Sequence, residues 1–343
     1  IHRIKKGVFG EKISLHLNTP STDFITQTRW ISQIEGYLAI STTRNVKIYN
    51  FVEDTMCPLY NFVVQIDSGL IHDFTYFFVG KELHLLVLVA TKDGHKLLIK
   101  KVTENDKASE HGEVKITTEV KLPQDVVSTK NDLQACSNGV IFYSFQTGVL
   151  FLAYTIASSK KGTSFTNKKQ VFFALSRPVL EEETWSVNIV TKMPELSCLV
   201  KEMLTQKRSF DKDAKSKDAE SLKLAPKFKD TGKYIRNLCE STGHPGLLTA
   251  SYGPHSMAII FTENEINVEF LGDVRPILDV SAVVHNFRGG EQPTSSILAI
   301  AEDGALRGWA INPAQVEKGE LWKNMALANT QSFVPAETEK AYP

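Results

Sequence analysis

The sequence lacks features that identify several classes of protein. It has no run of about 18 apolar residues, so no membrane-spanning helix is predicted. Lysine and arginine together number 39, and so do aspartate and glutamate, which gives a net charge of zero. This balance argues against a nucleic acid or a membrane surface as the main partner. The first residue is Ile1 and no signal-peptide pattern follows it, so we expect a piece of a longer protein.

Cysteine is scarce, and its spacing does not predict a metal site. The four cysteines are Cys57, Cys136, Cys198 and Cys239, and no two of them have C-x-x-C spacing. Structural zinc sites draw four ligands, usually from closely spaced pairs. We therefore interpret these residues as reduced, buried or half-buried thiols of a cytosolic protein.

Motifs for catalysis and phosphate binding are absent as well. The sequence has no G-x-S-x-G, no H-E-x-x-H and no G-x-x-x-x-G-K-[ST]. The sequence therefore predicts no catalytic, cofactor-binding or metal-binding residue in this segment. Seven of the nine histidines are scattered along the strand groups without an i, i+4 pair: His72, His84, His95, His111, His244, His255 and His285.

Short apolar runs separated by turn residues are what the sequence does contain. Residues 276–311 hold three such runs, and Glu302-Asp303-Gly304 forms a hairpin turn between the second and third. Three antiparallel strands in about 36 residues are most of one propeller blade, whose period is roughly 40–45 residues. Related groups of strands are predicted in residues 12–66, 70–122, 124–201 and 233–271.

The predicted fold class is therefore all-β, a WD40-like β-propeller segment of about four to five blades that residues outside this chain complete. Residues 1–312 are assigned to the blades, with a charged insert at 202–230. The insert has too few apolar residues to form a core, so a loop or a solvated helix is expected, with a basic binding arm as the alternative. Residues 313–343 are expected to be a linker or a short helix.

One short pattern occurs twice. Residues 71–75 (IHDFT) and 277–281 (ILDVS) both read apolar, any, Asp, apolar, hydroxyl. Asp73 and Asp279 have two interpretations: a catalytic carboxylate pair facing a central channel, or acceptors for backbone amides where a blade begins. Three tryptophans are also singled out: Trp30 and Trp309 are predicted in the core, and Trp322 is an interface candidate.

Several short phrases are informative together: NVKIYN at 45–50, IHDFTYF at 71–77, GVIFY at 139–143 with VLFLAY at 149–154, HPGL at 244–247 and AEDGALR at 301–307. In order and approximate spacing, over residues 30–312, they resemble the giant UBR-box E3 ubiquitin ligases, a family that includes calossin and plant BIG. The phrase at 244–247 departs from the family's N-H-P-G-L, because Gly243 stands in place of the asparagine.

The resemblance implies a non-catalytic propeller within a cytoplasmic, and also nuclear, ligase of the N-degron pathway. Its role would be to position the substrate-binding UBR box and to dock other domains. Zinc would belong to the UBR box and the half-RING, which lie elsewhere in the family's long chain. The implied partners are calmodulin, a small RING-type ligase, a ubiquitin-conjugating enzyme and N-degron substrates, and self-association stays open.

Two other functions remain open from the residues alone. The segment could be a WD40-like interaction module of an unrelated scaffold or trafficking protein. It could also be a propeller hydrolase, which would need carboxylates that converge at a channel mouth. A Cys/His-dense box of about 70 residues upstream would distinguish the ligase from both.

Overall fold

The chain is all-β, as predicted, and consists of sheets with the strand plan of propeller blades. The computed structural model contains 23 β-strands, with two very short helices, among the residues it describes. No helix in this described part is long and apolar enough to cross a membrane. The described residues are 2–5, 8–12, 15, 17, 20, 22–54, 56–65, 69–91, 94–122, 139–158, 167–178, 184–192, 235–240, 246–252, 255–261, 266–271, 277–285, 294–301, 306–311 and 327–331.

The residues group into two compact units. One consists of Ile1–Phe145, Ile156–Asn167 and Ser176–Val187. The other consists of Gln146–Thr155, Lys168–Leu175 and Asn188–Pro343.

Blade 1 follows a short N-terminal hairpin and has its first strand at one edge. The hairpin pairs β1 (His2–Lys5) with β2 (Val8–Lys12). The consecutive strands of blade 1 are β3 (Ile25–Trp30), β4 (Tyr37–Thr42), β5 (Asn45–Asn50) and β6 (Tyr60–Val64). The sheet order is β10-β6-β5-β4-β3, where β10 (Val114–Ile116) comes from later in the chain.

Blade 2 has the longest strands of the first unit. Its sheet order is β11-β9-β8-β7, so its first strand again lies at an edge. The middle strand is apolar on both faces, as expected of a strand with a neighbouring sheet on each side. The strands are β7 (Leu70–Val79), β8 (Glu82–Thr91), β9 (Gly94–Lys101) and β11 (Thr118–Glu119).

The segment between β9 and β11 leaves blade 2 and joins blade 1. It contains a 3-10 helix (Glu104–Asp106), the short helix α1 (Ala108–His111) and β10 (Val114–Ile116). Strand β10 pairs in parallel with β6, and the Ala108 amide donates to the Leu59 carbonyl. Residues 114–122 end the strand group predicted at 70–122, but β10 pairs with blade 1, and β11 is the part that pairs with β9. Blades 1 and 2 are therefore joined by backbone pairing.

Blades 3, 4 and 5 each have four strands in sequential order. Strands β16 and β23 were not anticipated; β23 lies in the predicted linker and pairs with β22. The insert at 202–230 lies outside the described residues. Blade 3 contains β12 (Gly139–Tyr143), β13 (Val149–Ser158), β14 (Asn167–Ser176) and β15 (Ser186–Lys192). Blade 4 contains β16 (Ile235–Glu240), β17 (Leu247–Tyr252), β18 (His255–Phe261) and β19 (Ile266–Leu271). Blade 5 contains β20 (Ile277–His285), β21 (Thr294–Ala301), β22 (Leu306–Ile311) and β23 (Leu327–Gln331).

A continuous apolar core fills the space between blades 1 and 2. It includes Val46 and Ile48 from β5, and Phe74, Leu85 and Val87 from blade 2, all almost completely buried. The alternation of β5 places these residues on one face, with Lys47 and Tyr49 on the other. Burial of facing apolar sheets is the main stabilising contribution to such a pair.

Candidate functional site at the first strands of blades 1 to 3

Asp73 lies where the first strand of blade 2 departs from regular pairing. Ile71 pairs with Val89 and Asp73 pairs with Leu88, so one extra residue, His72, forms a bulge between them. Asp73 is only 3% exposed. Directly after the bulge, the Asp73 carboxylate lies beside the backbone amide of Phe74.

The Asp73 carboxylate accepts hydrogen bonds from all three blades of this region. Its Oδ1 accepts from the Phe74 amide at 2.8 Å, within its own strand. Its Oδ2 accepts from the Ile141 amide of blade 3 at 3.0 Å. The Arg29 guanidinium of blade 1 lies 3.3 Å from each carboxylate oxygen. A single buried side chain thus joins three first strands.

Arg29 supplies the charge that balances Asp73 and also binds backbone oxygens. Its Nε donates to the Phe74 carbonyl at 2.8 Å, and its Nη2 donates to the Ile141 carbonyl at 3.3 Å. The guanidinium also lies over the rings of Phe74 and Phe142, at 5.9 and 5.8 Å from their centroids. Arginine suits this place because its planar group can donate in several directions at once.

Two further side chains of β7 extend the junction. The Thr75 hydroxyl accepts from the Tyr143 amide of blade 3 at 3.1 Å. The Tyr76 hydroxyl donates to the Trp30 carbonyl at 2.8 Å and accepts from the Ser32 amide at 3.1 Å. Side chains on alternate faces of β7 therefore bind the neighbouring blades on its two sides.

Burial, the Arg29 charge and hydrogen bonds all act on the Asp73 carboxyl group. Burial raises the pKa of Asp73, whereas Arg29 and the Ile141 and Phe74 amides oppose that rise. Both carboxylate oxygens are occupied by donors. Of the two sequence interpretations, the geometry of Asp73 matches the acceptor for backbone amides. The side chain of Asp279 lies outside the described residues.

Two histidines that are 23 positions apart in the sequence meet between blades 2 and 3. His72 Nδ1 lies 3.1 Å from His95 Nε2. Burial lowers the pKa of His72; burial, and then the neighbouring His72, lowers the pKa of His95 to about 3. The rings are therefore neutral at neutral pH, with one N–H donating to the other nitrogen. Sequence spacing could not reveal the pair, because the register of β7, β8 and β9 creates it.

Trp30 is not a core residue, which corrects the sequence prediction. It pairs with Leu38 and lies on the outer face of blade 1, where it is 54% exposed. Leu15 and Leu17 cover this face over β4 and β5, and the Lys47 ammonium donates to the Leu17 carbonyl. Burial lowers the pKa of Lys47. Among the described residues, those that cover this face pack against Leu38, Ile40 and Tyr49 of β4 and β5, which leaves Trp30 on the edge strand β3 exposed.

Other candidates from the sequence are placed as follows. Cys57 is exposed, which corrects the prediction of a buried or half-buried thiol, and Cys239 is half-buried, as predicted. Cys136, Cys198, Trp322 and the side chain of Trp309 lie outside the described residues. Within the described part of the chain, no group of three or more His, Cys, Asp or Glu residues is arranged to hold a metal ion.

The chain is similar in sequence to a curated protein. No protein-family model matches the chain. It is 24% identical over 325 residues to "Protein purity of essence" of Drosophila pseudoobscura pseudoobscura. The match covers 92% of this chain, and the chain spans about 5% of that relative's length.

Solved structures with a similar course of the chain have low sequence identity. One is the extracellular domain of the putative one-component system BT4673 from B. thetaiotaomicron, with 13% identity and a TM-score of 0.40. That match covers 95% of this chain and 32% of the other. Another is Drosophila Semaphorin 1a, extracellular domains 1–2, with 8% identity, a TM-score of 0.36 and coverage of 84% and 75%. Together, the phrases in the sequence and the match to purity of essence confirm the resemblance of this all-β chain to the giant UBR-box E3 ligases.

Proposed function

We propose that this chain is a non-catalytic propeller scaffold within a giant E3 ubiquitin ligase of the N-degron pathway. It would position the substrate-binding UBR box and dock other domains of the same protein. The observation that carries the proposal is the similarity to purity of essence over 92% of the chain. The ligase activity belongs to the whole protein in this proposal.

The geometry of the first-strand junction supports a scaffold. Asp73 and Asp279 are the carboxylates with a catalytic interpretation from the sequence, and the side chain of Asp73 is the described one of the two. Its oxygens are occupied by Arg29 and by the Phe74 and Ile141 amides. A general acid or base must reach a substrate proton within hydrogen-bonding distance, and Asp73 instead holds strands together.

Cofactors, partners and location follow the resemblance in the same proposal. Zinc would bind in the UBR box and the half-RING, which are Cys/His-dense segments elsewhere in the long protein. Calmodulin, a small RING-type ligase, a ubiquitin-conjugating enzyme and N-degron substrates are the proposed partners. The proposed location is cytoplasmic and also nuclear.

The test separates positioning from chemistry in the longer protein. Two reactions are measured in parallel: discharge of ubiquitin from the conjugating enzyme, and attachment of ubiquitin to an N-degron substrate. Deleting residues 1–343 should leave discharge unchanged and abolish substrate modification, because the scaffold contributes geometry alone. Asp73→Asn should lower stability while the folded fraction modifies substrate at the wild-type rate.

Two results would overturn the proposal. Substrate modification that survives the deletion would show that the segment positions nothing. A fully folded Asp73→Asn protein that loses transfer would assign a direct chemical role to this propeller. Glu82→Gln is the matched control, because Glu82 is a half-exposed carboxylate that pairs with Lys101 of the same blade.

A further inference from the structure

The outer face of blade 1 is covered in part by the chain's own N-terminal segment. Leu38, Ile40 and Tyr49 of β4 and β5 form a buried apolar cluster on this face. Leu15 and Leu17 pack against the cluster and are themselves only half-buried. With one residue between them, both leucines of an extended segment lie on the same side. The face therefore accommodates an extended Leu-x-Leu segment.

A polar row crosses the same face beside the apolar cluster. Lys47 of β5 pairs with Ile40 of β4 and with Asn61 of β6, so the three side chains lie next to one another. Lys47 is only 4% exposed, and its ammonium group donates a hydrogen bond to the Leu17 carbonyl. The N-terminal segment thus binds this face through a backbone oxygen as well as through its two leucines.

The Lys47 ammonium group has no carboxylate partner in the part of the chain that the structure describes. Asp23 and Glu113 act on its charge, but neither lies within ion-pair distance. The Asp23 carboxylate instead accepts from the hydroxyls of Thr42 and Thr43. A hydrogen bond from an ammonium group to an anion is about twice as strong as one between neutral groups. A carboxylate would therefore suit this buried cation better than a carbonyl does.

Asn61 leaves a second polar group of this row unused. Its Oδ1 is buried and accepts no hydrogen bond from the residues that the structure describes. The oxygen and the nitrogen of a side-chain amide exchange places by a half-turn, which would offer an N–H donor next to Lys47. An anion at the position of the Leu17 carbonyl would then meet a cation and an amide donor together.

We propose that the outer face of blade 1 is a docking site for the C-terminus of a partner protein that ends in Leu-x-Leu. The partner's two leucines occupy the places of Leu15 and Leu17 on the apolar cluster. Its terminal carboxylate takes the place of the Leu17 carbonyl and forms an ion pair with Lys47. Residues 15–17 are then a cis occupant that the partner displaces. This assignment is independent of the proposed ligase function, since it uses only contacts within blade 1 and the segment before it.

Two peptides that differ only at the C-terminus test the proposal on the longer protein. Both have the sequence of residues 11–17, EKISLHL, with fluorescein at the N-terminus; one ends in a free carboxylate and the other in an amide. Leu15→Ser and Leu17→Ser together weaken the cis occupant, and fluorescence anisotropy measures binding to this opened variant. We expect the carboxylate peptide to bind about tenfold more tightly than the amide, the difference between a charge-assisted and a neutral hydrogen bond.

Changes at Lys47 in the opened variant test the role of its charge. Lys47→Met should abolish the preference for the carboxylate and leave the affinity for the amide unchanged. Lys47→Arg keeps the charge and should retain the preference, so it still reports on the site if Lys47→Met impairs folding of blade 1. Lys101→Met is the matched control, because Lys101 is a half-exposed lysine of blade 2, and it should leave both affinities unchanged.

Each of three other results contradicts the assignment. Equal affinities for the two peptides would show that this face has no carboxylate site. Failure of the opened variant to bind either peptide would show that residues 15–17 are a fixed part of blade 1. A preference for the carboxylate that persists in Lys47→Met would place the anion at a different cation.

Discussion

The coupling between Asp73 and Arg29 is the sharpest quantity that the structure predicts. Asp73→Asn keeps the size of the side chain and one oxygen acceptor, but it removes the charge. Arg29, whose side chain is 14% exposed, then lies buried without its carboxylate partner. Breaking a buried ion pair on one side costs about 3–5 kcal/mol, so we expect a loss of that order in the free energy of unfolding.

Arg29→Met removes the other partner and keeps most of the length of the side chain. Asp73 would still hold the Phe74 and Ile141 amides, so we expect a smaller loss of about 2–3 kcal/mol. The double variant removes both charges together. Its loss should be smaller than the sum of the two single losses by about 1–3 kcal/mol, because the second change no longer strands a buried charge.

Urea unfolding followed by circular dichroism measures all four proteins of this cycle. The matched control is the Glu82–Lys101 pair, whose side chains are 51% and 47% exposed. Its cycle with Glu82→Gln and Lys101→Met should show additive effects. Additive losses for Asp73 and Arg29 as well would refute the reasoning, because they would show that the two groups do not share one buried junction.

Three further perturbations test other parts of the first unit. Since the pKa of His95 is lowered to about 3, the folded state excludes a proton that the unfolded chain binds below about pH 6.5. The associated stability is complete above about pH 6.5 and falls by up to about 1.4 kcal/mol per pH unit towards pH 3; equal sensitivity to acid in His95→Gln would contradict this. Gly139→Ala would place a Cβ 2.6 Å from Leu88 Cδ2, so we expect a lower melting temperature and a loss of about 1–3 kcal/mol, partly restored by Leu88→Val. Asp106 accepts the Thr103 amide at 2.8 Å, so Asp106→Ala should destabilise the connection to β10 by about 1–2 kcal/mol; unchanged hydrogen exchange in 114–116 would contradict that effect.

Strand positions and faces were largely predictable because they depend on local alternation. In β5, the order Val46-Lys47-Ile48-Tyr49 indicates a strand with two different faces, and the structure has it so. An acceptor for backbone amides at the start of a blade was one of the two interpretations of the Asp-x-hydroxyl pattern. These features need only the side-chain period of two and the chemistry of one residue.

The remaining features depend on which segments become neighbours, and alternation does not encode that. Residues 114–116 read as a strand, but nothing in Val-Lys-Ile selects a parallel partner in the previous blade. His72 and His95 are in contact because the bulge at His72 and the registers of the β7–β8 and β8–β9 hairpins place the two side chains side by side. Arg29 shows no partner in sequence, because Asp73 is 44 residues away. Trp30 has the residue type and strand position of a core residue, but it is exposed, because burial depends on which segment covers that face of the sheet.

The path of the chain through β10 changes what counts as a separable module. A fragment that stops at the end of blade 1 would lose β10, and β6 would then become an open outer edge, prone to pairing with other chains. A proteolytic nick between β9 and β10 would likewise loosen blade 1 although the cut lies in blade 2. Module boundaries placed by counting strands along the sequence therefore differ from the boundaries of the segment that folds together. We expect the first two blades to unfold as one cooperative unit, so a swap or deletion should carry residues 22–119 together.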